Sequence, residues 1–192
     1  MMRRRCCVSL LAGVLLLALA APMPASAQEN TTDKYTQDEV LQAAKQFFGD
    51  TSKDLATIIE KIFKDQGEPN AYITGEEAAG AIAVGVRYGN GWLHRKAGGT
   101  QRLFWQGPSL GFDLGGNASK VFTLVYNIAG ADEIFQRFPG VEGTIYVIGG
   151  FGVNYQQRGD IILAPIRTGV GLRGGINIGY LNYTREQETL PF

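Results

Sequence analysis

Val170-Gly171-Leu172-Arg173-Gly174-Gly175-Ile176-Asn177-Ile178-Gly179-Tyr180 decides the fold on a first reading. Its even positions are apolar or glycine, and its odd positions are Gly, Arg or Asn. A period of two is the mark of a strand with one buried face. Gly169, Gly171 and Gly174 also fit the G-x-G-x-x-G spacing of a dinucleotide-binding turn. That turn must open a helix, whereas here the alternation runs on to Tyr180. The glycines therefore read as part of a bent strand.

The same alternation recurs upstream. Residues 81–88, 91–94, 101–105, 109–114, 121–128, 143–153 and 161–166 read as further strands. In 121–128, Phe122, Leu124, Tyr126 and Ile128 share one side. Turn signals fall at Gly89-Asn90-Gly91, Gly98-Gly99, Gly115-Gly116-Asn117 and Arg158-Gly159-Asp160. A short helix is predicted over 131–138, with Asp132 and Glu133 in its first turn and Pro139-Gly140 after it. The chain has 26 glycines among 192 residues, about twice the usual share of ~7%. Glycine weakens a flat strand but permits the bends and close wall approaches of a small barrel.

Before Ala71 the period is helical. Thr36 and Glu39 form a capping box ahead of Val40, Leu41, Ala44, Phe47 and Phe48, and Gly49 is a stop. A second helix begins near Thr51 or Ser52, carries Leu55, Ile58, Ile59, Ile62 and Phe63 on one stripe, and ends at Gly67 and Pro69. The expected fold is mainly β: a small soluble antiparallel Gly-rich β-barrel with two N-terminal α-helices covering an open end.

The first 27 residues read as an address. Arg3, Arg4 and Arg5 precede a continuous apolar run, and Ala25-Ser26-Ala27 is a small-x-small cleavage site. Pro22 and Pro24 cut the run short of the ~20 apolar residues a spanning helix needs. The predicted organisation is a signal peptide over 1–27, cleaved after Ala27, then a polar leader with two helices over 28–70, a barrel over 71–184 and a tail over 185–192. Cleavage removes Cys6 and Cys7, the only cysteines, and with them thiol catalysis and disulfides. It also removes three of the 18 basic side chains and none of the 18 acidic ones. The remaining slight negative charge argues against nucleic-acid binding.

Few residues carry chemistry. His94 is the only histidine; it reads as an exposed strand-end residue and makes a triad or a zinc site a poor fit. No G-x-S-x-G elbow occurs. Glu76 and Glu77 read as solvated. Asp113 lies between apolar residues in Gly-Phe-Asp-Leu-Gly-Gly, and Arg87, Arg167 and Arg173 lie in strands, where a charge needs a partner. These groups read either as an internal ion pair or as a polar spot for an acidic head group. Arg87, Trp105, Asp113, Arg167 and Arg173 are the candidate ligand-binding residues; no catalytic residue, metal or cofactor is expected.

Three stretches together carry a family resemblance: Gly107-Pro108-Ser109-Leu110-Gly111-Phe112-Asp113 through Leu124-Val125-Tyr126-Asn127; Arg137-Phe138-Pro139-Gly140-Val141-Glu142-Gly143; and Ala164-Pro165-Ile166-Arg167-Thr168-Gly169-Val170-Gly171 through Asn177-Ile178-Gly179-Tyr180. With Pro69-Asn70-Ala71-Tyr72-Ile73 and Val86-Arg87-Tyr88-Gly89, they resemble the envelope integrity protein A (EipA) family of bacteria. The resemblance implies a periplasmic β-barrel that helps keep the cell envelope intact, with no catalytic residues to carry over. A weaker likeness is to the lipid-binding SYLF domains. The expected function is a non-enzymatic periplasmic protein that binds a lipid, an envelope precursor or a partner protein. Once cleaved, it is not integral to the membrane. Two alternatives stand beside it: a small outer-membrane β-barrel, and a cell-wall hydrolase using Asp113.

Overall fold

A computed structural model describes residues 33–49, 51–82, 84–110, 118–169 and 179–188. Helix α1 (Gln37–Phe48) starts at the expected capping box: the Thr36 hydroxyl accepts from the Glu39 N–H, and the Glu39 carboxylate accepts from the Thr36 N–H at 2.9 Å. It stops at Gly49, whose left-handed φ of 70° lets its N–H reach the Lys45 carbonyl. Helix α2 (Lys53–Gln66) is capped by Ser52 and ends at Gly67. The buried residues are Val40 and Ala44 on α1, and Leu55, Ile58, Ile59 and Ile62 on α2.

The rest is one antiparallel sheet. Its long strands are β1 (Ala71–Ile82), β2 (Val84–Arg95), β3 (Thr100–Leu110), β4 (Ser119–Tyr126) and β9 (Ile161–Thr168). Between β4 and β9 come a 3-10 turn (Ala131–Ile134) and the short strands β5 (Arg137–Pro139), β6 (Tyr146–Ile148), β7 (Phe151–Val153) and β8 (Gln156–Arg158); β10 (Tyr180–Thr184) follows β9. The order across the sheet is β5-β10-β3-β2-β1-β4-β9-β7-β6, with β8 also on β9. A bridge between Gly140 and Gln156 joins the end of β5 to β8. The path β1-β2-β3-β10-β5-β8-β9-β4 thus returns on itself and curls the sheet into a barrel. β9 is shared: Ile161 to Leu163 pair with β8, and Ile166 to Thr168 pair with β7.

Strand parity sorts the side chains. Ala71, Ile73, Gly75 and Glu77 on β1 share one face with Leu93 on β2, Leu103 and Trp105 on β3, and Val121 and Val125 on β4. These meet Phe138, Leu163, Leu181 and Tyr183 to fill the inside. Among the described residues, the interior is therefore a cluster of buried apolar side chains. The opposite face of β4 and β9 carries Phe122, Leu124, Tyr126, Ala164 and Ile166, and the two helices lie against it. The expectation that the helices cover an open end is thus corrected: they cover one outer wall. β4 is buried on both faces from Val121 to Tyr126, which is why its sequence is apolar at odd and even positions alike.

Several boundaries also differ from expectation. Gly89-Asn90-Gly91 is no turn but the middle of β2, paired with Glu77, Glu76 and Gly75. A Cβ on Gly89 would collide with the Trp105 ring, so glycine here makes room for an indole. Residues 81–88 straddle the β1–β2 reversal, 101–110 form a single strand, and 143–153 hold two short strands around Gly149-Gly150. The turns at Gly98-Gly99 and Gly159 are present, each glycine at positive φ. The short helix is a 3-10 turn ending at Ile134. Residues 170–178 of the opening stretch, and the turn at 115–117, lie outside the described residues.

Candidate functional site

β1, β3 and β9 run toward one rim of the barrel, and β2, β4 and β10 run away from it. Just inside that rim the apolar filling gives way to charge. Glu77, Arg87 and Arg167 are all less than a tenth exposed. Arg167 donates its Nε to Glu77 Oε1 at 2.6 Å and its Nη1 to Asn154 Oδ1 at 2.8 Å. Arg87 Nη1 lies 3.2 Å from Glu77 Oε1. Trp105 Nε1 donates to Glu77 Oε2 at 3.2 Å. Tyr183 packs against Trp105 with ring centroids 5.9 Å apart, and its hydroxyl is hydrogen-bonded to Thr123.

Burial alone would raise the Glu77 pKa. The Arg167 and Arg87 charges, with the hydrogen bonds from Arg167 and Trp105, outweigh it and hold the carboxyl below the usual glutamate range. Glu77 is thus ionised and enclosed, which suits an anchor and not a general acid. Burial raises the Tyr183 pKa.

Three of the five candidate residues, Arg87, Trp105 and Arg167, therefore converge on one carboxylate. Asp113 and Arg173 lie outside the described residues, as does Ala27. The carboxylate itself departs from expectation: Glu77, expected to be solvated beside Glu76, is 5% exposed. The signal was present, because Glu77 continues the inward parity of Ala71, Ile73 and Gly75. His94 is also not fully exposed. It stacks on Tyr72 at 4.8 Å, its Nε2 lies 3.1 Å from the Thr74 hydroxyl, and burial lowers its pKa.

On the outer side of this wall lies a half-open cleft of about 210 Å³. Its sides are Glu76 and Ala78 on β1, Tyr88 and Asn90 on β2, and Phe104 and Gln106 on β3, with Gln187 from the C-terminal segment. Its floor reaches Gly89 and the Trp105 edge. Glu188 accepts from the Gln106 amide and pins that segment alongside. Next to the cleft, Arg102 stacks over both the Trp92 and Phe104 rings at 5.4 and 5.3 Å, and Trp92 is 44% exposed. A second depression, near Asp132, Phe135 and Asp160, is a wide shallow dish.

A third polar group was invisible to pattern reading. Where α2 meets the sheet, the Asp65 carboxylate accepts from the Tyr155 hydroxyl and the Lys61 ammonium, both at 2.9 Å. The Tyr146 hydroxyl lies 2.9 Å from that of Tyr155. The Lys61 hydrogen bond lowers the Asp65 pKa, burial opposes it, and the Tyr155 hydrogen bond adds to the lowering.

Residues 33–192 match the family described as envelope integrity protein A. The chain belongs to that family. This family member is also similar to a β-barrel-like, uncharacterized protein from Brucella abortus, known from a crystal structure. The two are 47% identical with a TM-score of 0.76, over 83% of this chain and 99% of the other. No curated protein matches this family member. Membership points to a part in envelope integrity. Among the described residues no helix is long and apolar enough to cross a membrane.

Proposed function

We propose that this envelope integrity protein A family member is exported, is cleaved after Ala27, and supports the envelope by holding an envelope component on the outer β1–β3 wall, without catalysis. One observation carries the reading. The described residues of the interior form a buried apolar cluster, and its buried carboxylate is tied to two arginines and an indole, while the cleft of about 210 Å³ beside it opens outward. That volume is below the ~300 Å³ at the lower end of small-molecule sites, so the fitting ligand presents one small polar unit and not a whole acyl chain. The polarity of the wall runs against an outer-membrane barrel, which has an apolar outside and a polar lumen. Here the described inside is apolar apart from the Glu77 cluster, and the uncovered outside carries Glu76, Asn90 and Arg102.

The test mixes the exported protein with isolated bacterial envelope material, sediments it, and assays both fractions. Retention of the protein in the pellet, with no sugar or peptide fragments accumulating in the supernatant, is expected. Steady release of fragments means catalysis and overturns the reading, as does failure to sediment.

A further inference from the structure

The cleft's lining narrows the class of ligand. Two half-buried rings, Tyr88 and Phe104, stand on neighbouring strands around Asn90, which pairs directly with Phe104. Aromatic faces beside amide groups suit a ring that has apolar C–H faces and a polar edge. Glu76 at the side is a further acceptor, for hydroxyl groups. The methyl groups of Ala78 and Ala118 give a small apolar corner at the other side.

The volume of about 210 Å³ equals about seven waters at ~30 Å³ each. That holds one six-membered sugar ring. Charge argues the same way. An anionic head group would meet Glu76 in the cleft and Glu188 next to Gln106, while the Arg102 guanidinium at the cleft's edge is already stacked on Trp92 and on Phe104, a ring of the lining itself. A neutral ring with hydroxyl groups meets no such repulsion.

We infer that the cleft between β1, β2 and β3 binds a neutral 2-acetamido sugar unit, stacked on Phe104 and hydrogen-bonded through Asn90, with its acetamido methyl against Ala78 and Ala118. This rests on the proposal that the outer wall holds an envelope component, and it names the chemistry of that component.

The chain has two tryptophans, Trp92 beside the cleft and Trp105 in its floor. Their indole N–H signals in a nitrogen–proton NMR spectrum report occupancy, and a Trp92→Phe variant assigns them. The exported protein is titrated with tri-N-acetylchitotriose and, separately, with dihexanoylphosphatidylglycerol. Saturable movement of the Trp105 signal by the saccharide is expected, with half-saturation below about 1 mM. The Asn90→Ala and Phe104→Ala variants, both at solvent-facing positions, are expected to weaken it at least about tenfold while their melting curves remain cooperative. Absence of saturable movement overturns the inference, as does an undiminished response in the folded Asn90→Ala variant. Movement by the phospholipid alone overturns the sugar assignment but leaves the binding reading standing. Movement by neither probe, with the protein still sedimenting on envelope material, does the same.

Discussion

Arg167 and Glu77 are ninety residues apart in sequence, yet they meet at 2.6 Å inside the barrel wall. β9 supplies the guanidinium and β1 the carboxylate, and β4 lies between them in the sheet. The pair fixes the spacing of three strands near the rim, and Arg87 and Trp105 bring β2 and β3 to the same carboxylate.

Glu76 and Glu77 give an internal control. Glu77→Gln removes a charge from between two buried guanidinium groups, and breaking a buried pair costs about 3–5 kcal/mol. Glu76→Gln alters an exposed side chain and is expected to stay within about 0.5 kcal/mol of the parent. Urea unfolding midpoints of the two variants, with their slopes, check the contrast.

The carboxylate also sets an acid limit. Its folded-state pKa lies below the ordinary glutamate value, so the unfolded chain binds the proton more readily. The stabilisation is complete above the ordinary value and is lost as pH falls from there through the folded-state pKa. Melting temperature is expected to drop over that acid range in the parent and to drop less steeply in Glu77→Gln. Scanning calorimetry across the acid range decides.

Gly89 and Trp105 are coupled through space. Gly89→Ala drives a methyl group into collision with the indole, and overpacking of this kind costs about 1–3 kcal/mol. Trp105→Phe makes room but gives up the hydrogen bond to Glu77. The double variant is expected to be less destabilised than the sum of the singles, by at least about 0.5 kcal/mol. Additive losses would show that the glycine is needed for some other reason.

Among the described residues, a chain of polar contacts from Asp65 through Tyr155 to Tyr146 ties helix α2 to the sheet. Tyr155→Phe removes the hydroxyl that donates to Asp65 and meets Tyr146. A loss of about 1 kcal/mol is expected, with faster amide exchange in α2 and little change in β1 to β3. Uniform acceleration across the sheet would contradict this local role.

Legibility from sequence followed the range of the interaction. Both helices could be read to within a residue or two, because Thr36, Glu39, Ser52, Gly49 and Gly67 act on their own neighbours. Barrel character was readable from the period of two. The reversals were harder. Gly89-Asn90-Gly91 has the composition of a turn, and only the indole arriving from β3 explains why the strand passes straight through it. An apolar stripe does not name its partner, so the place of the helices on the outer wall is not legible from them; the two-sided burial of Val121 to Tyr126 is what marks a wall covered on both faces. Arg87 and Arg167 stood out as strand charges that needed a partner. Residue type does not distinguish Glu77 from its solvated neighbour Glu76. What separates them is parity, a property of the strand and not of the residue.

Carbon-detected NMR titration of the Glu77 side-chain carboxyl tests the centre of this account most directly. A titration point below the ordinary glutamate range, returning toward that range in an Arg167→Met background that stays folded, is predicted. A Glu77 carboxyl that titrates at or above the ordinary range in the parent protein would contradict it, because the arginines and the indole would then not be holding the charge.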